Sequence, residues 1–261
     1  MRAAFVDLGE GVARWRLWWA LGANDIAQRY RRSAIGQFWI TASMAVFIGA
    51  ISAVYSALFN IDMREYAPFL VTNYVVWSFL AAVLSDGCIA FIQSEGYLKQ
   101  ERLPKTLFVF RVLVRNLIIL AHNAVLIPVV ILIAGTQVSW ISVLWSLTGL
   151  LIVVFNGFLV ALFLGMICAR FRDLPQVVAN LIQVSFFITP VLWRPEQVAE
   201  NMPWLIYLNP FANHLALVAG PLHGTAPDLY AYRYCLVLGA ILLVIVGAFF
   251  TRFRERIVYW L

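Results

Sequence analysis

The stretch NLIILAHNAVLIPVVILIAGTQVSWISVLWSLTGLLIVVFNGFLVALFLGMICA, residues 116–169, contains no Lys, Arg, Asp or Glu. As a single helix these 54 residues would reach about 80 Å, against a hydrocarbon core about 30 Å thick. The chain must therefore turn back inside the stretch, and the polar break Gly135, Thr136, Gln137, Ser139 marks the turn. Comparable charge-free runs lie before and after it. With 63% hydrophobic and only 12% charged residues, the composition lies far from the roughly 45–50% apolar and 25% charged of a soluble domain. The pattern predicts an all-α polytopic membrane protein. Cys88, Cys168 and Cys235 all fall in or beside apolar runs, an odd number with neither disulfide nor metal-ligand spacing, and read as packing residues.

Six spans account for the runs: Phe38 to Phe59, Ala67 to Ile92, Leu107 to Ala134, Trp140 to Cys168, Val177 to Trp193 and Tyr234 to Thr251. With the N-terminus in the cytoplasm, 16 of the 19 basic residues lie inside and only Arg64, Arg194 and Arg233 outside. The positive-inside rule thus puts both termini in the cytoplasm and makes the net charge of +6 a topology signal, not a nucleic-acid signal. Residues 1–36 form a separate N-terminal segment before a 37–261 permease domain. They are too charged to span and lack the order of a signal peptide. Trp15, Trp18, Trp19, Gly22 and Ile26 share one helical face, with Arg14, Arg16, Asp25 and Gln28 elsewhere, which predicts an amphipathic helix at headgroup level.

Ala45, Gly49, Ala53 and Ala57 in the first span, and Gly157, Ala161 and Gly165 in the fourth, form small-residue ridges. Such ridges let helix backbones approach closely, within one chain or across a dimer. The outer connection 194–233 is long and apolar; prolines from Pro190 to Pro227 alternate with aromatics, which predicts re-entrant or surface-lying helices in place of a free loop. Two cytoplasmic connections differ from it. Residues 93–106 make a short charged amphipathic piece ended by Pro104, and Ala169 to Gln176 is compact and polar; each suits either partner docking or plain solvation.

No phosphate-binding loop is possible, because the only lysines, Lys99 and Lys105, follow Leu98 and Pro104 in place of a glycine. If ATP drives this protein, a separate chain binds it with its Mg, and this chain itself carries no cofactor, metal site or catalytic residue. Intramembrane ionisable groups are costly and few. Asp86 is expected to pair with a basic residue near the cytoplasmic face, and His122 and Asn156 to hydrogen-bond between helices. Arg111 and Arg115, one turn apart, either anchor a helix end or hold a lipid phosphate. On the outer side His214, His223, Glu196, Glu200 and Asp228 match no hydrolase or zinc spacing.

Three stretches carry a family resemblance. Arg29-Tyr30-Arg31-Arg32-Ser33-Ala34-Ile35-Gly36-Gln37-Phe38-Trp39 leads into the first span; Glu95 through Pro104 forms a cytoplasmic loop; and Arg170-Phe171-Arg172-Asp173 runs on to Thr189-Pro190-Val191, Leu208-Asn209-Pro210-Phe211 and Gly224. Together they resemble the type-2 ABC exporter permeases, and within them the subunits that export lipid-linked polysaccharides such as O antigen. A residue departs from the pattern: relatives often carry an Arg shortly before the last Gly, where this chain has Ala219 and Pro221. The resemblance implies a homodimer in the bacterial inner membrane, joined to two ATP-binding subunits, with an N-terminal interface helix and re-entrant outer helices. By carry-over, Glu95, Leu98, Lys99, Arg102 and Pro104 become coupling residues, with Arg170, Arg172 and Asp173 as a second contact. Trp193, Pro195, Trp204, Asn209 and Pro210 become an outer gate. Tyr55, Phe59, Tyr74 and Trp77 are candidates to line a glycan path, or else belong to an interfacial aromatic belt. A drug or small-lipid exporter, a proton-coupled transporter and a membrane-embedded glycan-modifying enzyme are the alternatives.

Overall fold

A computed structural model describes residues 2–31, 33, 35–224 and 227–261. Every regular element among them is helical. Five helical stretches are long and apolar enough to cross a membrane: Phe38–Leu58, Met63–Ile89, Thr106–Ala134, Trp140–Arg170 and Leu229–Trp260. The chain is therefore a multi-pass membrane protein. We label the helices α1 (Arg2–Ala13), α2 (Trp15–Arg29), α3 (Phe38–Phe59), α4 (Met63–Ile89), α5 (Glu95–Gln100), α6 (Thr106–Ala124), α7 (Leu126–Ala134), α8 (Trp140–Arg170), α9 (Leu174–Ile188), α10 (Trp204–Tyr207), α11 (Pro210–Leu222), α12 (Leu229–Phe253) and α13 (Ile257–Trp260).

Local chemistry sets several of the ends. Side chains of Asp62, Ser139, Asn209 and Asp228 accept hydrogen bonds from the first backbone N–H groups of α4, α8, α11 and α12, satisfying donors that have no intrahelical partner. Gly135 ends α7 in the left-handed region at φ 74, where glycine carries no Cβ penalty, so the turn falls where the sequence predicts it. The third span is broken between α6 and α7 at Val125. Pro128 causes the break, because it cannot donate to the carbonyl of Ala124.

The expected span Val177 to Trp193 is different in the structure. Helix α9 covers Leu174–Ile188, 15 residues, or about 22 Å. It stops because Pro190 forces Thr189 to extended angles, φ −103 and ψ 142. The N-terminal segment forms two helices, and α2 lies on α6. Only Gly22 and Ile26 of α2 are buried, while Trp15 and Trp19 remain about half exposed at 53% and 51%.

Helix α4 is the axis: 61% of its most apolar stretch is buried, against 44% for α8 and 11% for α3. The α8 ridge is used within the chain. A Cβ on Gly87 would lie 2.8 Å from the Cα of Ala161, and one on Gly165 would lie 3.0 Å from the carbonyl oxygen of Gly87. The α3 ridge is open: Ala45, Gly49, Ala53 and Ala57 are exposed, and nothing lies within 4 Å of a Cβ placed on Gly49. Asn156 makes the expected interhelical bonds, donating to His214 Nε2 and to the Cys235 carbonyl, both at 3.0 Å. His122 does not; its Nδ1 bonds the Ile118 carbonyl of its own helix, and the tie between helices is from Thr41 Oγ1 to the His122 carbonyl at 3.0 Å.

Candidate functional sites at the two ends of the bundle

At the end rich in basic residues, the chain between α4 and α6 folds into one turn of 3-10 helix, Ile92–Ser94, followed directly by α5. Two of the five coupling candidates point inward: Leu98 is 4% exposed and Pro104 is buried. They fix α5 against the bundle and leave Glu95, Lys99 and Arg102 outward. Lys99 Nζ lies 2.6 Å from Glu95 Oε1, and this pairing, helped by Arg172, holds the Glu95 carboxyl below the usual carboxylate range. The second predicted contact meets the first, since Arg172 Nη2 stands 3.8 Å from Glu95 Oε2.

That same guanidinium donates to the Leu261 carbonyl at 3.1 Å, and Arg170 lies 5.5 Å from the Trp260 ring. Helix α13 is thus part of this surface, anchored by fully buried Ile257. Sequence reasoning missed it. The available signal was the pair Tyr259 and Trp260 directly after Arg252, Arg254 and Arg256. Asp173 is exposed beside Phe171, which is 49% exposed, and Tyr97 is 48% exposed. The face therefore combines solvated charges with exposed aromatic area.

Deeper at this end lies a nearly buried charge cluster. Arg111 grips Asp25 of α2 with two bonds, Nη2 to Oδ1 at 2.6 Å and Nε to Oδ2 at 2.8 Å. Arg115 reaches Asp25 Oδ2 at 3.3 Å and Asp86 Oδ2 at 2.8 Å. Asn116 Nδ2 donates to the same Asp86 oxygen at 2.9 Å. Asp86 thus pairs as the sequence suggests, and both guanidiniums proposed for lipid phosphate are engaged by carboxylates. One layer below, Asp7 of α1 caps α6 from outside: its carboxylate accepts from the N–H groups of Lys105 at 3.0 Å and Thr106 at 3.1 Å.

At the far end lie the residues the sequence reading expects to form a gate. Asn209 caps α11 while its Nδ2 donates to Thr189 Oγ1 at 3.0 Å and to the Ile188 carbonyl at 3.3 Å, so it joins α11 to the end of α9. Pro210 opens α11 at the position where its missing N–H costs nothing. Trp193 Nε1 donates to the Phe187 carbonyl at 3.1 Å, and Pro195 starts a single turn over Pro195–Gln197. Trp204 is 57% exposed on α10. Two bonds from α4 hold the segment: Tyr66 donates to the Leu192 carbonyl at 2.6 Å, and Glu65 pairs with Arg194 at 3.4 Å. Behind it opens a cavity of about 790 Å³, lined by Glu65, Phe69, Asn73, Arg194 and His223 among others. Burial, with the nearby Arg194 charge, pushes the His223 imidazole down to about 4. His223 bonds Thr72 and His214 bonds Asn156, so the two histidines serve different helix contacts.

Along one side of α4 runs an aromatic series: Phe47 stacks on Tyr74 at 4.5 Å, Tyr74 meets Phe186 at 6.3 Å, and Phe186 meets Trp77 at 5.6 Å. Trp77 is only 5% exposed, so it belongs to the wall. Tyr55 stacks on Tyr66 at 6.2 Å, and the Phe59 side chain lies outside the described residues. Beside this series α9 has no buried residue at all. Its Gln176, Asn180 and Gln183 form an exposed stripe at helical spacing, with Gln176 donating to Asn180 at 3.1 Å. The sequence reading passed over Phe47, Phe186 and these amides, although the spacing of three amides in an apolar helix was visible.

The chain is thus a multi-pass helical membrane protein with a mixed polar and aromatic face at one end and a pinned helical cap at the other. Residues 16–219 match the ABC-2 type transporter membrane family, and the chain belongs to it. Among curated proteins it is similar to two O-antigen export system permease proteins RfbA of Klebsiella pneumoniae. The first is 26% identical over 240 residues, 89% of this chain and 90% of the relative; the second is 24% identical over 238 residues with the same coverage. An RfbA protein of Myxococcus xanthus is 26% identical over 200 residues, 74% of this chain and 75% of that protein. As a member of that family the chain is the membrane part of a transporter.

Proposed function

We propose that this chain is the membrane permease of an ATP-driven exporter that moves a lipid-linked polysaccharide, O antigen or a similar surface glycan, across the bacterial inner membrane. It works as a homodimer with two ATP-binding subunits, which hold the ATP and Mg, and they dock on the face built from α5, residues 170–173 and α13. The basic end is cytoplasmic, with both termini there. Helix α9 and the Thr189–Trp193 segment make a sixth, shorter crossing, and α10 and α11 are the re-entrant gate helices. Likeness to O-antigen permeases over nearly the whole chain supports the cargo.

The observation that carries this reading is the amide stripe of α9. An amide moved from water into hydrocarbon without a partner costs about 4–8 kcal/mol. Gln183 and the mutually bonded pair Gln176 and Asn180 are exposed on this chain, and a second copy or a polar cargo would give them partners that lipid does not offer. Sugars suit the second role, because their hydroxyls bond amides while their C–H faces lie on rings such as Tyr74 and Phe186. The test is deletion of the gene in its host. Undecorated surfaces with polysaccharide retained in the cytoplasm are expected, and the purified chain should hydrolyse no ATP without its partner. Export that persists when the partner's ATP site is disabled would overturn the proposal.

A further inference from the structure

Four charged side chains from three helices meet at the basic end with little access to water: Arg115 is 8% exposed, Arg111 and Asp25 17% each, and Asp86 25%. Buried ion pairs are poor stabilisers, since desolvation offsets their attraction and well-packed apolar groups often do as well. What such pairs do provide is a defined geometry, most of all when an arginine fork grips a carboxylate with two bonds. The position of the cluster says what that geometry governs. Asp86 lies three residues before the end of α4, and Arg111 five residues after the start of α6. These are the two helices that flank the segment 92–105.

Helix α2 packs along α6, with Trp18 stacked on Phe110 at 5.6 Å. Gly22 and Ile26 are its only buried residues, and Gly22 sits directly on the α6 backbone, where an added Cβ would be 3.0 Å from the Arg111 carbonyl. Asp25 is the side chain that bonds α2 to both arginines. The cluster is also not fully satisfied: among the described residues Arg115 Nε and Asn116 Oδ1 are buried without partners. A buried polar atom left unpaired costs about 1–3 kcal/mol, so a modest shift that exchanges partners is energetically accessible.

We propose that Asp25, Arg111, Arg115 and Asp86 form the joint that passes displacement of the 92–105 segment to α2, with Asp25 and Arg111 as positioning residues for transport. The inference rests on the function proposed above, in which an ATP-binding partner moves α5. When α5 is pushed, α4 and α6 shift together because Arg115 bridges Asp25 to Asp86, and α2 follows through the Asp25 fork. Without the fork, α2 follows α6 only through its apolar packing, and less displacement is passed on.

The test uses the permease co-expressed with its ATP-binding partner, with surface glycan measured by flow cytometry and ATP hydrolysis measured on the purified complex. Asp25→Asn should assemble normally and keep hydrolysis within about twofold, while glycan exported per ATP falls about tenfold, the size of an ordinary coupling free energy. The charge swap Asp25→Arg with Arg111→Asp should restore most of the export. Should Asp25→Asn fail to reach the membrane, Arg111→Gln, which leaves Asp25 its contact with Arg115, gives the same readout. Export per ATP unchanged in the variants, or hydrolysis and export falling in the same proportion with no rescue by the swap, overturns the joint. A wild-type chain that exports without any ATP-binding partner overturns the function itself, and the joint with it.

Discussion

The seam between α4 and α8 makes a demanding test of the fold. Gly87→Ala adds one methyl group that would sit 2.8 Å from both the Cα and the Cβ of Ala161. Carbon contacts are favourable near 3.5–4.0 Å, so the two helices must separate by roughly 1 Å. The neighbour is backbone and has no rotamer to yield. Overpacking of this kind costs about 1–3 kcal/mol, and in a bilayer no hydrophobic force between helices compensates for it. The protein carries its own reporters, because Cys88, Cys168 and Cys235 are all buried and free. A thiol-reactive dye that fluoresces on labelling therefore follows thermal opening in detergent. Gly87→Ala should open several degrees below wild type. Gly247→Ala and Gly49→Ala, where nothing lies within 4 Å of the new Cβ, should open with wild type. Equal opening temperatures for Gly87→Ala and Gly247→Ala would refute the packing argument.

Tyr66→Phe strands a buried carbonyl at Leu192 and should cost about 1–3 kcal/mol, whereas Arg194→Ala removes an ion pair whose Glu65 partner is 67% exposed, worth about 0–1 kcal/mol. Hydrogen exchange over residues 189–209 should accelerate more in the first variant, and the reverse order would sink the gate geometry. Asp7→Ala leaves the Lys105 and Thr106 N–H groups uncapped, at a cost of about 1–2 kcal/mol, visible as faster exchange at the start of α6 with α8 unchanged. His223 is held neutral, with its value lowered from 6.5 to about 4. The folded protein therefore binds fewer protons there than the unfolded chain, and stability is lost as pH falls from about 6.5 toward 4. His223→Gln should flatten that part of the opening-temperature profile; an unchanged slope assigns the acid sensitivity to other groups.

Local features of the chain were legible because their causes are local. The first span runs Phe38–Phe59 as its hydropathy predicts, the turn at Gly135 needs only a glycine in the left-handed region, and Asn209 with Pro210 marks the start of α11 by capping chemistry alone. Helix α9 was read too long because its apolar run continues through Val191 to Trp193; Pro190 ends the helix but not the hydrophobicity. The coupling candidates were chosen as one set, yet Leu98 and Pro104 face inward and the exposed charges outward, a division that depends on how α5 is laid against its neighbours.

By itself the sequence determined that apolar membrane helices form and where several of them begin and end, since hydropathy and caps act over a few residues. Tertiary structure decided which surfaces are used. The ridges of α3 and α8 repeat at the same interval, but only α8 meets a partner helix inside the chain. Asp25 reads as one more polar-face residue until folding brings it to Arg111, 86 positions away. A charge or a small residue specifies what it can contact; which contact forms is settled only when distant segments pack, because each choice displaces lipid or water from every other.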